Sequence, residues 1–184
     1  DRRQRQMCIR DSVYTDIENT DNYDHIYQSD LCGWVGQLGY NKDSIYGANV
    51  FTAEGNETLK AASFYATGKD SQYELYVVRQ FEDETSLEKM IPVASGKLGN
   101  AGYYTVDFNQ GIEVDAGERY AVVLYIITPG SVHPMAIEYA ADEATENVDL
   151  DDGESYISAN GSKWVSVDTV EKSNLCIKAF SDNR

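Results

Sequence analysis

The chain has 184 residues, 31 of them acidic against 15 basic, for a formal net charge of −16. So acidic a surface repels nucleic-acid phosphates and anionic lipid, so neither a nucleic-acid partner nor membrane insertion is expected. The length suffices for one domain with a real core, and three cysteines are too few for a disulfide framework.

In chain order, Asp1–Asp11 comes first, with four arginines and hardly any apolar content. Its string RRQRQMCIRD resembles a sequencing adapter translated in one reading frame, so residues 1–11 are expected to be a non-native arm and are set aside. The natural chain is then expected to start near Ser12, already inside a longer protein. Residues 12–46 are polar and irregular, dotted with Tyr14, Tyr23, Tyr27, Trp34, Tyr40 and Tyr46. They predict a linker tract that lays its tyrosine rings on a neighbouring surface and leaves the hydroxyls wet.

From residue 47 to 184 the punctuation becomes regular. Strands are expected at Asn49–Ala53, Thr58–Thr67, Gln72–Arg79, Met90–Leu98, Tyr103–Phe108, Arg119–Thr128, Met135–Tyr139, Glu154–Ser158, Lys163–Ser166 and Asn174–Phe180, separated by turn residues. Asn109-Gln110-Gly111 is one of those turns, and Asn160-Gly161 predicts a tight type I′ hairpin. Tyr120–Ile127 is an unbroken apolar run between Asp115-Ala116-Gly117 and Thr128-Pro129-Gly130, which predicts a central strand covered on both faces. Short helices could form only at Glu82–Lys89 and Ala140–Asn147. The class expected is all-β, an antiparallel β-sandwich or jelly roll.

Three chemistries compete for the candidate residues. A cysteine protease needs a thiolate and a neighbouring histidine. Leu31-Cys32-Gly33-Trp34, near His25, has only one of the two cysteines of the papain signature, and no His–Asn pair follows that motif at the needed distance. No catalytic set is expected. Cys32 and Cys176 could form one bridge or, the favoured reading, stay as two free, partly buried thiols. Calcium wants several hard oxygens on a flexible loop. Asp149, Asp151 and Asp152 lie just ahead of a strand, and Glu138 sits inside an otherwise apolar one, where a buried carboxylate needs a cation or another partner. Sugar sites on β-sandwiches use exposed aromatic faces beside carboxylates and amides. Tyr103 and Tyr104 follow the Gly-Asn-Ala-Gly turn, so one ring must point outward, and Trp34 and Trp164 are also available.

The blocks Gly47–Thr67, Ala94–Phe108, Ala116–Tyr139, Glu154–Trp164 and Asn174–Phe180 together, in this order, resemble the lectin-like domain that follows papain-like cysteine protease domains in cell-surface proteins of Gram-positive anaerobes. Asp21–Asp30 resembles the tract that links the two. Phe81–Met90 and Ala141–Asp152 depart from the pattern. The resemblance implies a jelly-roll-like β-sandwich without catalytic activity, at the bacterial cell surface, next to an upstream protease domain in the same chain. It also implies a structural calcium ion and a role in binding cell-wall polysaccharide. The alternative expectation is a purely structural spacer with no ligand.

Overall fold

The computed structural model describes residues 22–143, 145–151 and 153–184; the adapter-like arm, Ser12–Asp21 and Asp152 lie outside the described residues. Two antiparallel sheets carry the fold. One has four strands in the order β1 (His25–Tyr27), β13 (Ile177–Asn183), β4 (Glu57–Ala66) and β7 (Gly102–Val114). The other has six: β11 (Val165–Ser166), β10 (Glu154–Ser158), β3 (Ser44–Thr52), β8 (Arg119–Ile127), β5 (Ser71–Val78) and β6 (Ile91–Leu98). A short third sheet of β12 (Asn174–Leu175), β9 (Met135–Glu138) and β2 (Gly36–Leu38) joins them at one end.

β8 lies between β3 and β5, as its apolar run predicts. Its even-numbered residues Tyr120, Val122, Leu124 and Ile126 enter the core between the sheets, facing Leu59, Ala62, Phe64, Ile177 and Ala179. Its odd-numbered Ala121 and Val123 enter a second cluster on the outer face, under Phe81 and Leu87. Period-2 geometry therefore buries every residue of Tyr120–Leu124. Phe81 and Leu87 are brought there by the expected short helix, which forms as a 3-10 turn at Glu84–Glu88 with a capping box from Asp83 and Ser86.

Four expectations need correction. The linker expected over residues 12–46 is, from Asp24 onward, part of the sandwich: β1 pairs with β13, Tyr27 is buried in the core, and β2 pairs with β9. Asn109-Gln110-Gly111 is no turn but a bulge inside β7, because register runs from Asp107↔Ala61 to Ile112↔Leu59 with the strand uninterrupted. Asn160-Gly161 does not make a type I′ turn. Only Gly161 of the pair has positive φ (76°), and a longer loop closes on Ser158 Oγ and Asn160 Oδ1, which accept from backbone amides of Gly161 (3.0 Å) and Ser162 (3.2 Å). The described part of Ala140–Asn147 holds turns rather than a helix, and among the described residues the one α-helical turn falls at Val167–Val170.

Candidate functional site: an aromatic shelf beside an oxygen cluster

Alternation along β4 sends Ala62 and Phe64 into the core and Ser63 and Tyr65 to the outer face of the four-stranded sheet. Register then sets Tyr103 of β7 beside Tyr65, and Lys178 of β13 beside Ser63. The Tyr65 and Tyr103 rings meet at 4.9 Å between centroids, and the Tyr103 hydroxyl shares a 2.5 Å hydrogen bond with Ser63. Trp34 extends the row, 5.7 Å from Tyr65. Trp34 is 37% and Tyr103 45% exposed, which makes this the open aromatic shelf of that sheet.

Trp34 comes from the loop between β1 and β2, and the loop is fastened at several points. The Lys178 ammonium reaches the buried Asp30 carboxylate at 2.9 Å and Gln28 Oε1 at 2.8 Å. The Gly33 amide donates to Asp30 O at 3.1 Å, and the Val35 amide donates to Ile137 O at 2.9 Å. Gly33 has φ of 71°, and a Cβ there would lie 3.0 Å from the Tyr65 hydroxyl. Backbone handedness and ring contact both ask for glycine. Burial raises the Asp30 carboxyl above its ordinary value, and Lys178 pulls it back. Burial likewise lifts the Tyr65 hydroxyl to about 12, so the shelf offers neutral phenols at any physiological pH.

Behind the loop lies a cluster of oxygens. The Asn174 Nδ2 group donates to Ser29 O (2.9 Å), Asp149 O (2.9 Å) and Glu138 Oε2 (3.1 Å). The second Glu138 oxygen accepts from the Cys32 amide, inside the loop that carries Trp34. An amide nitrogen has two protons, yet among the described residues three acceptors converge on this one. Turned over, the same side chain would add its own oxygen to those three. Such a set of carbonyl and carboxylate oxygens is the chemistry of a hard-cation site. Ser29 Oγ and Asp30 Oδ2 beside it are buried with no hydrogen-bond partner among the described residues.

Neither cysteine among the described residues is primed as a nucleophile. Cys32 and Cys176 are free. Desolvation, then the Glu138 carboxylate, raises the Cys32 thiol; burial, then Asp30, pushes that of Cys176 up much further. His25 is engaged elsewhere, 3.0 Å from Asn183 Oδ1 and 3.4 Å from Glu54.

A family model described as a lectin-like domain matches residues 26–181. The chain belongs to the lectin-like domain family. Two solved structures share its fold. One is the clostridial cysteine protease Cwp84 after propeptide cleavage, with 24% identity and a TM-score of 0.72, covering 87% of this chain and 40% of that one. The other holds the cysteine protease and lectin-like domains of Cwp84, a surface layer associated protein of Clostridium difficile, with 20% identity, a TM-score of 0.67, and 87% and 36% covered. This lectin-like domain thus spans about two fifths of the length of those structures. No curated protein sequence matches it. Among the described residues no helix is long and apolar enough to cross a membrane.

The lectin-like fold divides the residues singled out from sequence. Tyr103 is on the shelf, while Tyr104 shares the Phe64 side of the sheet, and its hydroxyl donates to Asn100 O at 2.9 Å. Trp164 lies just before β11 over the other sheet, half-buried on the outer cluster and edge-on to Tyr46. The three are therefore not one sugar site. Glu138 and Asp149 do meet, but Asp149 contributes its main-chain carbonyl, and its carboxylate accepts from the Asp151 amide at 3.0 Å. Asp151 is exposed and paired with Lys172 at 2.9 Å, so it is no ligand of this cluster. Among the described residues no three His, Cys, Asp or Glu side chains form a metal-binding group. Trp34, also available from sequence, is on the shelf; Tyr65, Ser29 and Asn174 were not singled out. The legible signal for Asn174 is an amide opening the otherwise apolar stretch Leu175–Ile177.

Proposed function

We propose that this lectin-like domain is the non-catalytic accessory domain of a cell-surface cysteine protease, and that it attaches the protease to wall glycan. The observation that carries the reading is the solvent-open row Trp34–Tyr65–Tyr103, with the Asp30–Lys178 pair and Ser63 beside it. Flat rings next to fixed polar groups suit a sugar, which has an apolar face and a hydroxylated edge. A calcium ion held by Ser29 O, Asp149 O, Glu138 and the Asn174 amide oxygen would supply the charge that locks the Trp34 loop. The chain's negative charge disfavours direct contact with anionic wall polymers, so neutral wall polysaccharide is the proposed partner, outside the cell.

The rival reading is a ligand-free spacer. Against it, a spacer needs no solvent-open row of rings, yet the Trp34 and Tyr103 rings are open to solvent. The test is retention on purified peptidoglycan and wall polysaccharide, with and without chelator, for wild type, Trp34→Ala and Tyr103→Ala. Retention that falls in both variants and on chelation is expected. Wild-type retention on no wall fraction overturns the adhesive reading and leaves the structural one.

A further inference from the structure

The outer face of the six-stranded sheet is only half covered. Phe81, Leu87 and Trp164 pack over Ala48, Val50, Val78, Ala121 and Val123. Past Val123 Trp164 still reaches Tyr46 on β3, and register lays out two rows of side chains. Tyr46, Tyr125, Glu74 and Ser95 form one; Ser44, Ile127, Gln72 and Lys97 form the next. Where these rows cross β8, β5 and β6 they line an open groove of about 250 Å³.

One flank of the groove is apolar, made by Ile127 and the Tyr125 ring, which is stacked on Tyr46 at 4.2 Å with planes 20° apart. A cross-strand aromatic pair stabilises a sheet wherever it lies. That accounts for the rings but not for what faces them. Among the described residues, Gln72, Ser95 and Lys97 make no side-chain hydrogen bond or ion pair. Glu74 receives one bond, from the Tyr76 hydroxyl. An amide, a hydroxyl, an ammonium and a carboxylate thus line the polar flank with bonding capacity to spare.

The geometry points to a second glycan-binding groove, shaped for an uncharged hexose-type ring. The C–H face of the ring lies on Tyr125 and Ile127, while its hydroxyls donate to Glu74 and accept from Lys97, Gln72 and Ser95. Glu74 and Lys97 cancel each other locally, on a chain whose net charge is −16. A charged ring of either sign meets one like and one opposite charge, Glu74 and Lys97, and gains no net attraction for the water it loses, so the neutral ring is favoured. The groove lies on the sheet opposite the Trp34 shelf and apart from the oxygen cluster, and it rests on neither.

The test is titration of the full chain with gluco-, manno- and N-acetylglucosamine tetrasaccharides and a uronic-acid tetrasaccharide, followed by amide and aromatic NMR shifts. Neutral probes are expected to move resonances of Gln72–Glu74, Ser95–Lys97 and Tyr125. Glu74→Gln and Lys97→Ala, both at exposed side chains, should each weaken that binding about tenfold or more. Trp34→Ala and chelator should leave it unchanged. The groove is overturned if no neutral probe moves these resonances, if the uronic-acid probe binds there more tightly, or if both groove variants bind like wild type. Shifts confined to Trp34, Tyr65 and Tyr103 would overturn the groove while supporting the shelf.

Discussion

Glu57 has no exposed surface, yet it carries a charge into the core beside β1. Its oxygens accept from the Tyr27 hydroxyl at 2.8 and 2.9 Å, the Gly55 amide at 2.7 Å and the Ser181 hydroxyl at 2.5 Å. It therefore ties β1, β4 and β13 at one point. Glu57→Ala leaves the Tyr27 and Ser181 hydroxyls without their acceptor, at about 1–3 kcal/mol each, and opens a cavity besides. Relief of the buried charge offsets part of this, so a net loss of about 3 kcal/mol is expected, a large share of the ~5–15 kcal/mol typical of a domain. Urea unfolding followed by tryptophan fluorescence should show a lower midpoint at unchanged slope. The pH dependence has a definite sign. Burial alone would raise the Glu57 carboxyl, but the bonds from Ser181, Tyr27 and Gly55 outweigh it and hold the group below its ordinary value. The native state thus binds this proton more weakly than the unfolded chain. Its contribution is complete above about pH 4.5 and is lost as pH falls through the lower native value. Glu57→Gln should lack that acid limb. An alanine variant within about 0.5 kcal/mol of wild type would refute the anchoring role of Glu57.

Val123→Asp would bury an unpaired carboxylate beneath Phe81 and Leu87, costing several kcal/mol or more, and should leave no folded protein in the soluble fraction by circular dichroism. Gly33→Ala must hold an alanine at φ of 71° against the Tyr65 hydroxyl. A loss of about 1–2 kcal/mol in urea midpoint is expected, together with weaker wall retention; unchanged values would mean that the loop does not set the shelf. Adding calcium should raise the melting temperature, chelator should reverse it, and Asn174→Ala should abolish the difference. A calcium response unaltered in that variant would place the ion elsewhere.

The legible parts of the fold were those whose signal is local. β8 declared itself because both its faces are buried, and β4, β5 and β6 because turn residues bound them closely. Gly111 misled for a physical reason: a Cβ there would lie 2.5 Å from Thr58 Cγ2, so the glycine serves close strand approach at a bulge rather than a change of direction. β1 and β2 have three residues each, too few for any period to show. Only partners more than a hundred residues away in sequence, Phe180 for Ile26 and Ile137 for Gly36, make them strands.

The shelf divides along the same line. That one ring of Tyr103-Tyr104 faces outward follows from alternation and needs nothing else. That its neighbours are Tyr65 and Trp34 depends on the β4–β7 register and on a loop whose path is set by Lys178, Glu138 and Ile137. Glu138 was legible as a charge that needs a partner, but its partners are an amide and a peptide N–H, groups that carry no sequence signature of their own. Asp149, Asp151 and Asp152 drew the eye because carboxylates cluster there, whereas the oxygens that converge on Asn174 from Ser29 and Asp149 are main-chain carbonyls, and every residue has one. An oxygen site built largely from peptide groups is invisible to composition; it can be read only once the backbone is in place.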